Sequence, residues 1–125
     1  MPSPPLAPDD GPLDSGHLAR MTLGDAGLER EVLAMFSGQT VDLIARLVVL
    51  ASDGRPSETT SSETLALAHT LKGSARAIGA FRVGDAAAAL EVAIRDGDDP
   101  AEALACLKDA VAEARSAIDA ILRRS

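Results

Sequence analysis

Apolar residues recur along this chain at intervals of three and four, which places them on one side of an α-helix, and no stretch alternates as a half-buried strand requires. The first such segment is short. Asp14 or Ser15 caps a helix ending near Met21, with Leu18 and Met21 as its apolar contacts. A second helix is predicted from about Asp25 to Ser52, with Leu28, Val32, Met35, Phe36, Leu43, Leu47 and Leu50 as its stripe. Gly38 softens its middle, and Asp53-Gly54-Arg55-Pro56 stops it. A polar linker, Ser57 to Ser62, then leads to a third helix, started by a capping box of Thr60 with Glu63 and stopped at Gly79. The fourth spans about Arg82 to Asp96 with Gly97 as its cap. Val83, Ala87, Leu90 and Ile94 form its stripe, and the alanines at 86 to 89 permit close helix contact. Asp99 and Pro100 open the last helix, whose stripe is Leu104, Leu107, Val111, Ala114, Ile118 and Ile121, with Arg123 and Arg124 at its negative end. Four long amphipathic helices with short connections predict an all-α, antiparallel four-helix bundle with a short additional N-terminal helix. Residues 1–12 hold five of the seven prolines and are predicted to be a disordered arm, leaving 13–125 for the bundle.

The third helix differs from the others in what its outer face carries. At about 100° per residue, Thr64, Leu67, Ala68, Leu71, Ala75 and Ile78 fall on the core side, while Ser62, Leu65, His69, Lys72, Gly73 and Arg76 fall opposite. The histidine is presented outward, with cations on neighbouring turns. Gly73 costs a helix interior roughly 1 kcal/mol relative to alanine and adds nothing to packing on that side. A missing side chain one turn from an exposed imidazole leaves room for a bulky group or another protein.

Composition narrows the function classes. Alanine and leucine dominate, and Phe36 and Phe81 are the only aromatics, as suits a helix bundle. A net charge of -7 opposes nucleic-acid binding, which needs a basic face, and docking on an anionic membrane. No apolar run is predicted to span a bilayer, and the N-terminus has no signal-peptide pattern, so the expected location is cytoplasmic. Cys106 is the only cysteine and is read as a small buried or half-buried apolar residue; with His17 and His69 as the only histidines, no metal site is proposed. Without a Gly-rich phosphate loop, the chain is not expected to phosphorylate itself from a nucleotide.

The run His69-Thr70-Leu71-Lys72-Gly73-Ser74, followed by Gly79-Ala80, resembles the signature of histidine-containing phosphotransfer (HPt) domains. These are the helical phosphocarriers of multistep two-component phosphorelays. The resemblance covers roughly residues 13 to 124 and implies that His69 takes a phosphoryl group from a phosphoaspartate receiver and later yields it to another. The implied partners are the receivers of a hybrid histidine kinase and of a response regulator. They bring their own magnesium, so no cofactor is expected here, and a monomer is the simplest expectation. The short first helix implies Leu18 and Met21 as partner contacts beside Leu65 and Arg76; covering one end of the core is the other reading of Leu18 and Met21.

An exposed imidazole near neutral pH offers a nucleophilic nitrogen. Lys72, one turn away, is a suitable point charge for phosphoryl oxygens. Glu91, on the flank of the fourth helix, is placed to accept from one ring nitrogen and leave the other free, a role the HPt resemblance also implies. Arg95 either pairs with Glu91 or helps neutralise the phosphate, and Ser74 either contacts the ring or simply occupies the helix surface. The alternatives are a bundle that binds a signalling partner without being phosphorylated, the phosphoacceptor domain of a histidine kinase, and a general acid-base enzyme. A kinase domain would usually place an acidic residue directly after the histidine, where this chain has Thr70. An enzyme would need a pocket that a convex helix does not offer.

Overall fold

The structure is a computed structural model that describes residues 11–52 and 57–124. Residues 1–10 of the arm expected at 1–12, and the stop expected at 53–56, lie outside the described residues, as does Ser125. Five helices follow one another: α1 Ser15–Met21, α2 Ala26–Ala51, α3 Glu58–Ile78, α4 Phe81–Arg95 and α5 Ala101–Arg123. The last four pack in ring order, α2 on α3, α3 on α4, α4 on α5 and α5 back on α2, while α1 lies against α3. That arrangement is the expected four-helix bundle with its short extra helix.

The core is aliphatic. Leu33, Phe36, Leu43 and Leu47 of α2 meet Ala68, Leu71, Ala75 and Ile78 of α3, Val83, Ala87 and Leu90 of α4, and Leu104, Leu107, Val111 and Ile118 of α5. Two positions of the expected α2 stripe fall outside it, for Leu28 is exposed and Met35 is 74% exposed. Leu33 and Thr40 take their places at the centre. The expected phase followed the largest residues, whereas the buried line through Leu33, Phe36, Thr40, Leu43 and Leu47 keeps a three- and four-residue spacing through a polar position. Thr40 tolerates burial because its hydroxyl donates to the Ser37 carbonyl at 2.7 Å. The helix runs unbroken through Gly38. Against the expectation that no segment could span a bilayer, α2 is long and apolar enough by length and composition. In the fold it is a bundle helix with one side in the core. Cys106, expected to be buried or half-buried, is exposed, because it lies on the side of α5 turned away from Leu104, Leu107 and Val111.

The third helix starts earlier than its capping box suggested. Ser57 is its cap, with the hydroxyl accepting from the Thr60 amide at 3.0 Å, so Glu58 to Ser62 are helical rather than a loop. Thr60 lies inside the first turn, where its carbonyl accepts from the Thr64 hydroxyl at 2.9 Å. Glu58 then sits near the positive end of the helix dipole. At the other end Gly79 stops the helix as expected, in a left-handed conformation with φ 89°. The α5 start is close to its expected form: Asp99 Oδ1 accepts from the Ala101 amide at 2.9 Å, with Pro100 between them.

Long-range bonds pin α1 to the α3–α4 corner. The Asp14 amide donates to the Gly79 carbonyl at 2.9 Å, and His17 Nε2 donates to the Ala77 carbonyl at 3.0 Å. The His17 ring also meets Phe81 edge to face, with centroids 5.2 Å apart. Leu18 is buried beneath this corner, whereas Met21 is exposed. Leu18 therefore covers the core, and only Met21 stays available to a partner.

Candidate functional site

His69 stands in the middle of α3 with its side chain 71% exposed. The core residues Ala68 and Leu71 on either side of it hold the helix in place, so the ring projects from a fixed backbone. Its Nδ1 faces Glu91 Oε2 of α4 at 3.6 Å, which leaves Nε2 as the outward nitrogen. Glu91 itself is almost fully buried. The small residues Ala86 to Ala89 and the packing of Ala87 and Leu90 bring α4 close enough to α3 for the carboxylate to arrive beneath the ring.

Two cations hold that carboxylate. Lys72 Nζ lies 2.7 Å from Oε1, and Arg95 Nη2 lies 3.3 Å from Oε2. Burial alone pushes the Glu91 carboxyl up, but the Lys72 hydrogen bond and charge, then Arg95 and His69, outweigh it and hold the group below the ordinary carboxylate value. Glu91 is therefore an anion at neutral pH. The trio carries a net charge of +1, from two cations and one carboxylate, directly beside the imidazole.

Sequence expectations fare unequally against this geometry. Glu91 reaches the ring region, and Arg95 pairs with Glu91, one of its two expected roles. Lys72 does not reach freely into solvent beside the ring: its ammonium is turned onto Glu91, and its side chain is 21% exposed. Ser74 lies on the α2 side, in a groove with Met35, Phe36 and Gln39; five residues are about 140° of helix rotation, which carries it away from His69. Leu65 is half-buried and Arg76 exposed. At Gly73 a Cβ would meet nothing within 4 Å, so the surface above it is open. Two residues that order this face were not singled out. Gly84, which sits two residues before the alanine run in α4, leaves a seat for Arg76, because a Cβ there would fall 2.9 Å from Arg76 Cγ. His17 anchors α1 across a separation of 60 residues, a contact without a local signal.

The model of the Hpt domain family matches residues 31–117. The chain belongs to the Hpt domain family. Hpt domains are phosphocarrier modules of phosphorelays, and the family works with receiver domains. The fold agrees: a solved structure of a rice protein, provisionally assigned as a histidine-containing phosphotransfer protein, superposes with a TM-score of 0.80 at 20% identity. The match covers 92% of this chain and 82% of the rice chain. No curated protein matches the sequence. Among the described residues of this Hpt domain, no group of three His, Cys, Asp or Glu side chains could hold a metal ion.

Proposed function

We propose that this Hpt domain carries a phosphoryl group on His69 between phosphoaspartate receivers, one belonging to a hybrid histidine kinase and one to a response regulator. The observation that carries the reading is the exposed ring whose Nδ1 faces a buried, ionised Glu91. With a proton on Nδ1, the Nε2 lone pair attacks phosphorus. An N–P bond forms, the acyl P–O bond breaks, and the receiver's aspartate leaves as a carboxylate. The ring gains positive charge, which Glu91 Oε2 stabilises through the Nδ1 proton; the 3.6 Å separation shortens to a hydrogen bond as that charge develops.

Lys72 has three donors, and Glu91 Oε1 takes one of them. The others serve the phosphoryl oxygens, so the carboxylate parks the ammonium beside the site. The absent side chain of Gly73 lets the receiver surface close over the ring. Exposed Met21, which borders Gly73 and Arg76 in the groove between α1 and α3, provides apolar contact area. Magnesium and the acidic pocket come with the receiver, and the carrier itself needs neither a nucleotide nor a cofactor.

Incubation with a phosphorylated receiver tests this. Acid-labile, base-stable label is expected on the wild type and none on His69→Gln, with both proteins equally helical. Label retained by the variant would refute the assignment of His69.

A further inference from the structure

The chain has a formal net charge of -7, yet beside His69 its surface is basic. One turn beyond the ring, an open cleft between α1 and α3 is lined by His17, Arg20, Met21, Gly73, Arg76 and Ala77, with no carboxylate among them. Arg20 has no ion-pair partner among the described residues. Arg76 Nη2 reaches only Asp85 Oδ1, at 4.0 Å, and the Asp85 side chain is 81% exposed, a pair that water largely screens. His17 brings no acceptor from Nε2, which donates to the Ala77 carbonyl.

Both arginines lie across glycines. A Cβ on Gly84 would fall 2.9 Å from Arg76 Cγ, and one on Gly16 would fall 3.4 Å from Arg20 Nη1. Side chains seated in this way have less rotamer freedom left to lose when a partner engages them. The nearest carboxylates leave donors on both: Asp85 is 4.0 Å from Arg76, and Asp14 Oδ1, 3.4 Å from the same Gly16 position, already accepts from the His17 amide at 2.9 Å. In an acidic protein, two such guanidinium groups form a site prepared for an anion.

The phosphoryl group in transit is not that anion. It is delivered at His69, and Arg76 is seven residues further, about 10 Å along α3. A planar guanidinium fork matches a carboxylate. We infer that the cleft is a selectivity site that takes an acidic side chain of the docking receiver, with Arg20 and Arg76 favouring receivers that present a carboxylate beside their phosphoaspartate pocket. This rests on the carrier reading of His69. The two arginines then act on partner choice and association rate, while the chemistry stays with His69, Lys72 and Glu91.

The test uses the full chain carrying Arg20→Gln together with Arg76→Met, a pair that removes both charges but keeps an apolar stem over Gly84. Phosphoramidate, a small phosphodonor with no docking surface, reports the reactivity of the ring. A panel of phosphorylated receiver domains reports docking. We expect phosphoramidate labelling within about twofold of wild type. Transfer from receivers with an acidic rim should fall about tenfold and lose most of its salt dependence. An Arg76→Glu variant should be rescued by a lysine in place of the receiver's rim carboxylate. An Arg20→Lys, Arg76→Lys variant, which keeps both charges but loses the fork, should retain the salt dependence of transfer with a weaker preference, and transfer as slow and as salt-independent as in the neutral pair would overturn the inference. Wild-type transfer rates from every receiver to the neutral variant would overturn the cleft while leaving His69 a carrier. Failure of both phosphoramidate and every receiver to label the wild type would remove the carrier reading itself.

Discussion

Glu91 stays charged in a place where a lone carboxylate would take up a proton, because Lys72 and Arg95 reach it from two sides. Its lowered pKa makes it a stabilising group only where it is ionised. That contribution is fully present above the ordinary value of 4.5 and is lost as pH falls through the lower folded value. Glu91→Gln should therefore cost on the order of 1–3 kcal/mol near neutral pH, and the gap to wild type should narrow as the pH falls progressively below the ordinary carboxylate value of 4.5. Urea unfolding across this pH range measures it, and a gap that widens in acid would contradict the account. Gly73 makes an opposite kind of prediction. Gly73→Ala adds a Cβ into open space and should stabilise the helix by roughly 0.8–1 kcal/mol, while Gly73→Leu slows transfer from a receiver. A bulky side chain that left the transfer rate unchanged would mean that the gap has no role in access. His69, Lys72 and Gly73 were legible because fixed offsets on one helix also fix their face. The depth of Glu91 and the turning of Lys72 onto it depend on how closely two helices approach, and periodicity within either helix does not contain that distance.

At the scale of elements, the α3–α4 corner joins three helices through one glycine. Gly79 has φ 89°, and a Cβ there would lie 2.9 Å from the Asp14 carbonyl, so Gly79→Ala meets both backbone strain and a clash with the start of α1. We expect a loss of about 1–3 kcal/mol with faster amide exchange in α1, measured by denaturant unfolding and hydrogen exchange. An unchanged midpoint would mean that the corner relaxes freely. The stop at Gly79 was legible because left-handed caps favour glycine. The start of the same helix was not, since Ser57, Thr60 and Ser61 are all competent caps and only the extra packed turn decides for Ser57. In α2 the error was one of phase: a stripe drawn through Met35 and Leu28 looked as good as the true one through Leu33 and Thr40 until α3 and α5 were in place.

For the whole molecule, class and helix order followed from spacing alone, because four amphipathic stripes with short connections have few ways to bury themselves together. The seating of α1 did not follow, for it rests on Asp14 meeting Gly79 and His17 meeting Ala77, more than fifty residues away in sequence. That seating brings Arg20 and Met21 up to the face that holds the imidazole, and the basic cleft beside it exists only in the assembled bundle. The face is convex, and His69 is the exposed ring proposed to take the phosphoryl group. On the carrier role proposed for His69, donor and recipient use the same berth in turn, as travellers use a turnstile. Throughput is then set by how quickly the spent donor departs, and a surplus of unphosphorylated donor throttles the relay by queueing at the gate.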